Sequence, residues 1–144
     1  MLNKVQLYAE LDTDGKIDFT NLEDELARCP LLFSKWLKYH FDYKSAEIRG
    51  ESLLAEMVVK KQLFYSGAAA AEDYRGHPMS HISAKNSTEM ARLIDGDTEL
   101  CALREKADLN KAFKEVCEHM IESIKYRPNH LKTILDVRKF QSGE

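Results

Sequence analysis

Proline is scarce in this chain, with three in 144 residues, and glycine is little more common at six. So few breakers leave room for long uninterrupted helices. Cysteine is too sparse for a disulfide framework. Cys29, Cys101 and Cys117 are odd in number and share no metal-ligand or redox spacing, so they read as buried or partly buried thiols in a reducing compartment. No apolar run approaches the length that spans a bilayer, and the opening MLNKVQLYAELD has no signal-peptide apolar segment. A glycine-rich phosphate loop is also missing, because GAAAAED lacks the Lys-Ser/Thr pair that would grip a nucleotide. With 44% hydrophobic and 31% charged residues, the expectation is a single all-α domain of the cytoplasm, with no membrane association.

Catalytic and metal-binding constellations are equally thin. The run from Glu10 to Asn21 superficially follows a calcium loop, with Glu10, Asp12 and Asp14 alternating before Gly15. Its twelfth position is Asn21, which cannot supply the bidentate carboxylate such a loop needs. His77 and His81 are four apart, but Pro78 disfavours the helix that would aim both at one ion. Cys117 and His119 point to different helix faces, and Ser66 has no plausible base beside it. The chain reads as one that binds and not as an enzyme, and it calls for no metal or cofactor.

The breakers divide the chain. A short helix is expected over 2–10, ending in Asp12-Thr13-Asp14-Gly15. A second begins after Asp18 or Thr20, with Glu23 completing a capping-box spacing from Thr20. Pro30 is expected in the first turn of a third and longest helix, running to about Tyr65 over roughly 50 Å. Ala46, Leu53, Met57 and Phe64 mark a heptad-like seam there, with Gly50 and Lys60 at intervening positions. Residues 67–87 read as a mobile loop, although the alanines could make one helical turn. A short helix near Thr88–Ile94 precedes Asp97, which can cap a long helix to about Tyr126 with a buried stripe of Leu109, Phe113, Val116 and Met120. Arg127-Pro128-Asn129 is expected to break that helix, leaving a final amphipathic helix over 129–141. The three regions of the single domain are thus 1–66, 67–87 and 88–144.

Net charge is −3, yet it is unevenly spread. Residues 1–30 carry 3 basic and 7 acidic groups, residues 31–66 carry 6 and 4, residues 67–124 carry 7 and 11, and residues 125–139 carry 5 and 1. Two basic segments therefore interrupt an acidic chain, and a local patch holds a field whatever the net charge. In the first, Lys35, Lys38, Lys44, Arg49, Lys60 and Lys61 can contact phosphates, while Trp36, Tyr39, Tyr43 and Tyr65 can stack on bases or fill the core. The adjacent pair Lys60-Lys61, beside Phe64-Tyr65 and the loop, is best placed to follow a flexible strand. The residues alone leave open the blander alternative, solvated helix faces of a scaffold or adaptor that meets an acidic protein partner and no nucleic acid.

Two segments resemble the UvsY family of recombination mediators from T-even-type phages. They are Leu32-Phe33-Ser34-Lys35-Trp36-Leu37, continued to Tyr65-Ser66-Gly67, and Ile124-Lys125 through Ile134-x-Asp136-x-Arg138-x-Phe140-x-x-Gly143. Their order, distance and the total length carry the likeness across nearly the whole chain. The resemblance implies an all-helical protein of the host cell cytoplasm that assembles into a ring of six or seven copies and binds single-stranded DNA. It also implies helping a RecA-like recombinase onto strands covered by single-strand-binding protein. A basic pair before the Tyr-Ser-Gly end contributes to DNA binding in that family; here the second member falls on Lys61 and the first on Val59, with Lys60 displaced by one. The family's C-terminal segment mediates self-association, which assigns that role to Leu131, Ile134, Leu135, Val137 and Phe140.

Overall fold

A computed structural model describes residues 1–143, and among them the only regular elements are helices: α1 (Lys4–Gly15), α2 (Leu22–Ser66), α3 (Ala71–Tyr74), α4 (Ser87–Asp95) and α5 (Thr98–Ser142). The all-α expectation holds. The chain groups into two compact units, one of Met1–Lys44 with the residues from Lys111 onward, the other of Ser45–Asn110. Among the described residues, no helix is long and apolar enough to cross a membrane.

In the first unit, Leu7 of α1 meets Leu32, Trp36 and Tyr43 of α2 and Phe113, Cys117 and Ile124 of α5 in a buried cluster. A smaller cluster joins Leu22 and Cys29 to Leu131, with Ile134 and Leu135 packed against it. These two clusters explain why neither proline interrupts its helix. Pro30 lies inside α2 and Pro128 inside α5, contrary to the expected boundaries. A proline removes one backbone hydrogen bond and costs roughly 3 kcal/mol in an isolated helix. Here buried side chains grip the helix on both sides: Cys29 and Leu32 flank Pro30, and Ile124 and Leu131 flank Pro128. Tertiary burial outweighs the local preference.

α1 also outruns its expected end. Asn3 caps it with a reciprocal Gln6 contact, and the acidic turn at Asp12–Gly15 is its last helical turn. Asp14 is held inward, 2% exposed, where its carboxylate accepts from Lys35 Nζ (2.7 Å), Trp36 Nε1 (3.0 Å) and Arg28 (3.3 Å). The α2 start falls one residue past Thr20: Asn21 Oδ1 accepts from the Asp24 N–H at 3.3 Å, so Asn21 takes the capping position given to Asp18 or Thr20.

In the second unit the α2 seam passes through Gly50, Leu54, Met57, Lys61 and Phe64, none of them fully exposed. Leu53 and Lys60, placed in the seam by sequence, stand outside it, one residue off the buried register. Gly50 faces Ala107 of α5, whose Cβ lies 3.6 Å from where a Gly50 Cβ would sit. Leu109, assigned to the buried stripe, is 46% exposed, and Asn110 takes the inner position. Cys101 is exposed on α5 next to fully buried Leu100, so the expectation of buried or partly buried thiols holds for Cys29 and Cys117 and not for Cys101.

Candidate functional site

α2 ends in a Schellman turn. Gly67 adopts φ 81°, its N–H reaches Phe64 O at 3.2 Å, and the Ala68 N–H reaches Leu63 O at 3.0 Å. The positive φ explains the abrupt Ser-Gly end. From there the chain folds back on the end of α2: the Tyr74 hydroxyl donates to Phe64 O at 2.7 Å and accepts from the Ala69 N–H at 3.1 Å. Tyr74 stacks on Phe64 with centroids 4.7 Å apart, and His77 packs on Phe64 at 4.5 Å. Farther along, the Ala84 N–H donates to Tyr65 O at 2.8 Å. This Phe64–Tyr74–His77 cluster was not legible in the sequence, because Tyr74 and His77 lie in a stretch without periodicity.

The adjacent lysines diverge completely. Lys60 is 63% exposed and, among the described residues, forms only a surface pair with Glu56, one turn back, at 2.9 Å. Such a pair contributes little in water, about 0.3–0.5 kcal/mol, and leaves the ammonium available. Lys61 turns inward, its side chain 9% exposed, with Nζ 3.1 Å from Asp97 Oδ2 and 2.8 Å from Glu99 Oε2. The expected outward pair of cations is therefore a single cation, because a one-residue step rotates a helical side chain by about 100°. Burial alone would lower the Lys61 pKa, but its hydrogen bonds to Glu99 and Asp97 outweigh that and raise it, so it stays charged.

Asp97 is the centre of that network. It accepts from the Tyr65 hydroxyl at 2.7 Å and caps α5 through the N–H groups of Glu99 (3.1 Å) and Leu100 (3.0 Å), as expected of a cap there. Burial pushes its pKa up, but the Tyr65 and Leu100 hydrogen bonds and Lys61 bring the net shift down. Burial, and then the hydrogen bond to the Asp97 anion, push Tyr65 up to about 12.

The remaining cations sort the same way. Lys35 is tied to Asp14 and Glu10, so its charge is spent inside the first unit. Lys38 and Lys44 are exposed and form no ion pair among the described residues. Arg49 is exposed and, among the described residues, holds only Ser45 O and Oγ, both at 3.4 Å. Toward the end of α5, Lys132, Arg138 and Lys139 are exposed, whereas Arg127 is 3% exposed and donates to Asp14 O at 2.8 Å. Trp36, Tyr43 and Tyr65 are 0%, 1% and 2% exposed, which leaves no ring face of theirs for a base to stack on.

The C-terminal apolar set also splits. Leu131 is fully buried against Leu22 and Cys29, with Ile134 and Leu135 half-buried beside it. Val137 and Phe140 stand 50% and 86% exposed.

Against known proteins, a family model described as the recombination, repair and ssDNA binding protein UvsY matches residues 10–144. The recombination protein uvsY of Enterobacteria phage T4 is 25% identical over 138 residues, covering 96% of each chain. Two crystal structures of the bacteriophage T4 recombination mediator protein UvsY share the fold. The lattice type II form has a TM-score of 0.82 at 23% identity, covering 99% of each chain. The lattice type IV form has a TM-score of 0.79 at 25% identity, covering 97% of this chain and 99% of the other.

Proposed function

Because the chain belongs to the UvsY family of recombination, repair and single-stranded-DNA-binding proteins, we propose that it is a recombination mediator that binds single-stranded DNA without sequence preference. Supporting this reading is the set of outward cations whose charge is not spent inside the protein: Lys38, Lys44, Arg49 and Lys60. The reading assigns phosphate contact to these four and gives Lys35 and Lys61 a positioning role, since each is already held by two carboxylates. Phosphate attraction carries no base information, which suits a protein that must act on any strand.

Assembly into a ring of six or seven copies would repeat this modest set of charges along one strand, and linked weak contacts gain affinity by effective concentration. Val137 and Phe140 are the residues that support self-association best. Leu131, Ile134 and Leu135 serve the protomer's own core first. Such an oligomer would wrap the strand, loosen single-strand-binding protein and present the DNA to a RecA-like recombinase. No bond is made or broken by this chain, and ATP turnover in the assembly belongs to the recombinase.

The test is recombinase assembly on a strand saturated with single-strand-binding protein, followed through DNA-dependent ATP turnover, with sedimentation of the mediator alongside. The lag before turnover should shorten when this chain is added, and more so at concentrations where it sediments as an oligomer. An unchanged lag would refute the mediator role.

A further inference from the structure

Resting on the single-strand reading above, we infer that a cavity beside Lys60, at the end of α2, takes one nucleobase of the bound strand while Lys60 holds a neighbouring phosphate. The cavity encloses about 490 Å³ and lies wholly within the second unit. That is within the usual range of roughly 300–1,000 Å³ for small-ligand sites, enough for a base and part of its sugar. Its apolar lining comes from Met57, Leu63, Phe64 and the alanines after the Schellman turn. Its polar lining comes from Lys61, Asp73, His77 and Glu99.

The charges decide which part of a nucleotide can enter. Asp73 and Glu99 repel a phosphate from the interior, whereas Lys60 attracts one to the rim. A neutral base has apolar faces for the methyl-bearing wall and at least one N–H on its edge, N3–H in thymine, for a carboxylate. Lys61 completes the edge recognition. It is 7% exposed, its ammonium spends two of three N–H donors on Asp97 and Glu99, and beyond these it meets only the Phe64 ring face, 5.9 Å from the centroid, among the described residues. A base carbonyl or ring nitrogen can accept the third N–H. His77 is fixed in the wall by its contact with Phe64 and by accepting the Met79 N–H at Nδ1, 3.0 Å away. That bond leaves its proton on Nε2, a further donor.

This gives Lys61 a part in binding that its buried ion pairs would otherwise hide, and it makes the 67–70 turn one lip of the site. The test is fluorescence anisotropy of the full-length protein with two labelled strands of equal length and phosphate count, one oligo-dT and one fully abasic. The intact strand should bind about fivefold or more tightly than the abasic one, the lower end of what base contacts contribute in single-strand binders. Ala68→Trp and Ala70→Trp each fill the cavity from that lip. Each variant that melts like the wild type should bind the abasic strand as the wild type does and lose the preference for oligo-dT. Equal wild-type affinities for the two strands, or a preference kept by both folded tryptophan variants, would overturn the cavity assignment alone. Binding of neither strand would overturn the single-strand reading beneath it.

Discussion

Replacing each of the adjacent lysines by methionine is expected to separate fold stability from phosphate attraction. Lys61→Met removes the cation between Asp97 and Glu99 and leaves the Asp97 carboxylate, 4% exposed, without its ionic partner. Breaking a buried pair typically costs about 3–5 kcal/mol. Asp97 keeps its hydrogen bonds from Tyr65, Glu99 and Leu100, and Glu99 is 62% exposed and rehydrates, so the loss falls toward about 2–3 kcal/mol. For a chain of this size that is a drop in Tm of about 4–10 °C. Lys60→Met breaks only an exposed pair with Glu56 and should change stability by less than about 0.5 kcal/mol. In anisotropy titrations, however, Lys60→Met should weaken binding at every salt concentration and flatten the salt slope by about 0.7 for each contacting residue lost. Circular-dichroism melts and titrations on the same preparations separate the two effects. A Lys60→Met variant that melts like Lys61→Met, or that binds with wild-type affinity and salt slope, would refute the division of labour.

Three further outcomes follow from particular contacts. Gly50→Ala should stabilise the protein by about 0.5–1 kcal/mol in denaturant titration, since its new methyl meets Ala107 at an ordinary 3.6 Å and the helix gains propensity; destabilisation would mean that the helices cannot accept even that contact. At alkaline pH, Tyr65 and Tyr43, both raised to about 12, favour the folded state while their phenols stay protonated. Their contribution is complete below the ordinary tyrosine value near 10 and is lost as pH rises toward 12, roughly 2–3 kcal/mol each; Tyr65→Phe should make the fall of Tm over that window shallower, and an identical fall would contradict the assignment. Phe140→Asp should leave Tm nearly unchanged, because Phe140 is 86% exposed, while shifting sedimentation to smaller species; an intact oligomer would remove Phe140 from self-association.

How much of this could be read from sequence depends on whether a residue's role is local. Helical content, the Ser-Gly stop and the Asp97 cap were legible because each rests on propensity or capping within a few residues. Pro30 and Pro128 misled because the burial that carries a helix through them comes from residues distant in the chain, Leu131 against Cys29 and Leu22 for one of them. The seam was placed one residue off at Leu53 and Lys60 because two leucines and two lysines stand side by side at 53–54 and 60–61, and periodicity alone cannot choose between neighbours. That ambiguity exchanged the buried lysine for the exposed one. The ion pairs of Lys35 were illegible for a related reason: its partners Glu10 and Asp14 lie on another helix, and composition counts a cation the same whether or not a distant carboxylate holds it. The cavity was invisible for the same reason, since its walls come from α2, the turn after it, the α3 segment and the start of α5.

The claim that exposed cations of α2 hold single-stranded DNA is tested most directly by the salt dependence of binding for the wild type beside Lys38→Ala/Lys44→Ala/Arg49→Ala/Lys60→Ala. The wild type should bind oligo-dT with an affinity that falls steeply and linearly in log–log form as salt rises, and the quadruple variant should show a much shallower line with its fold intact. A wild-type protein whose affinity is indifferent to salt, or a quadruple variant with an unchanged slope, would contradict the account.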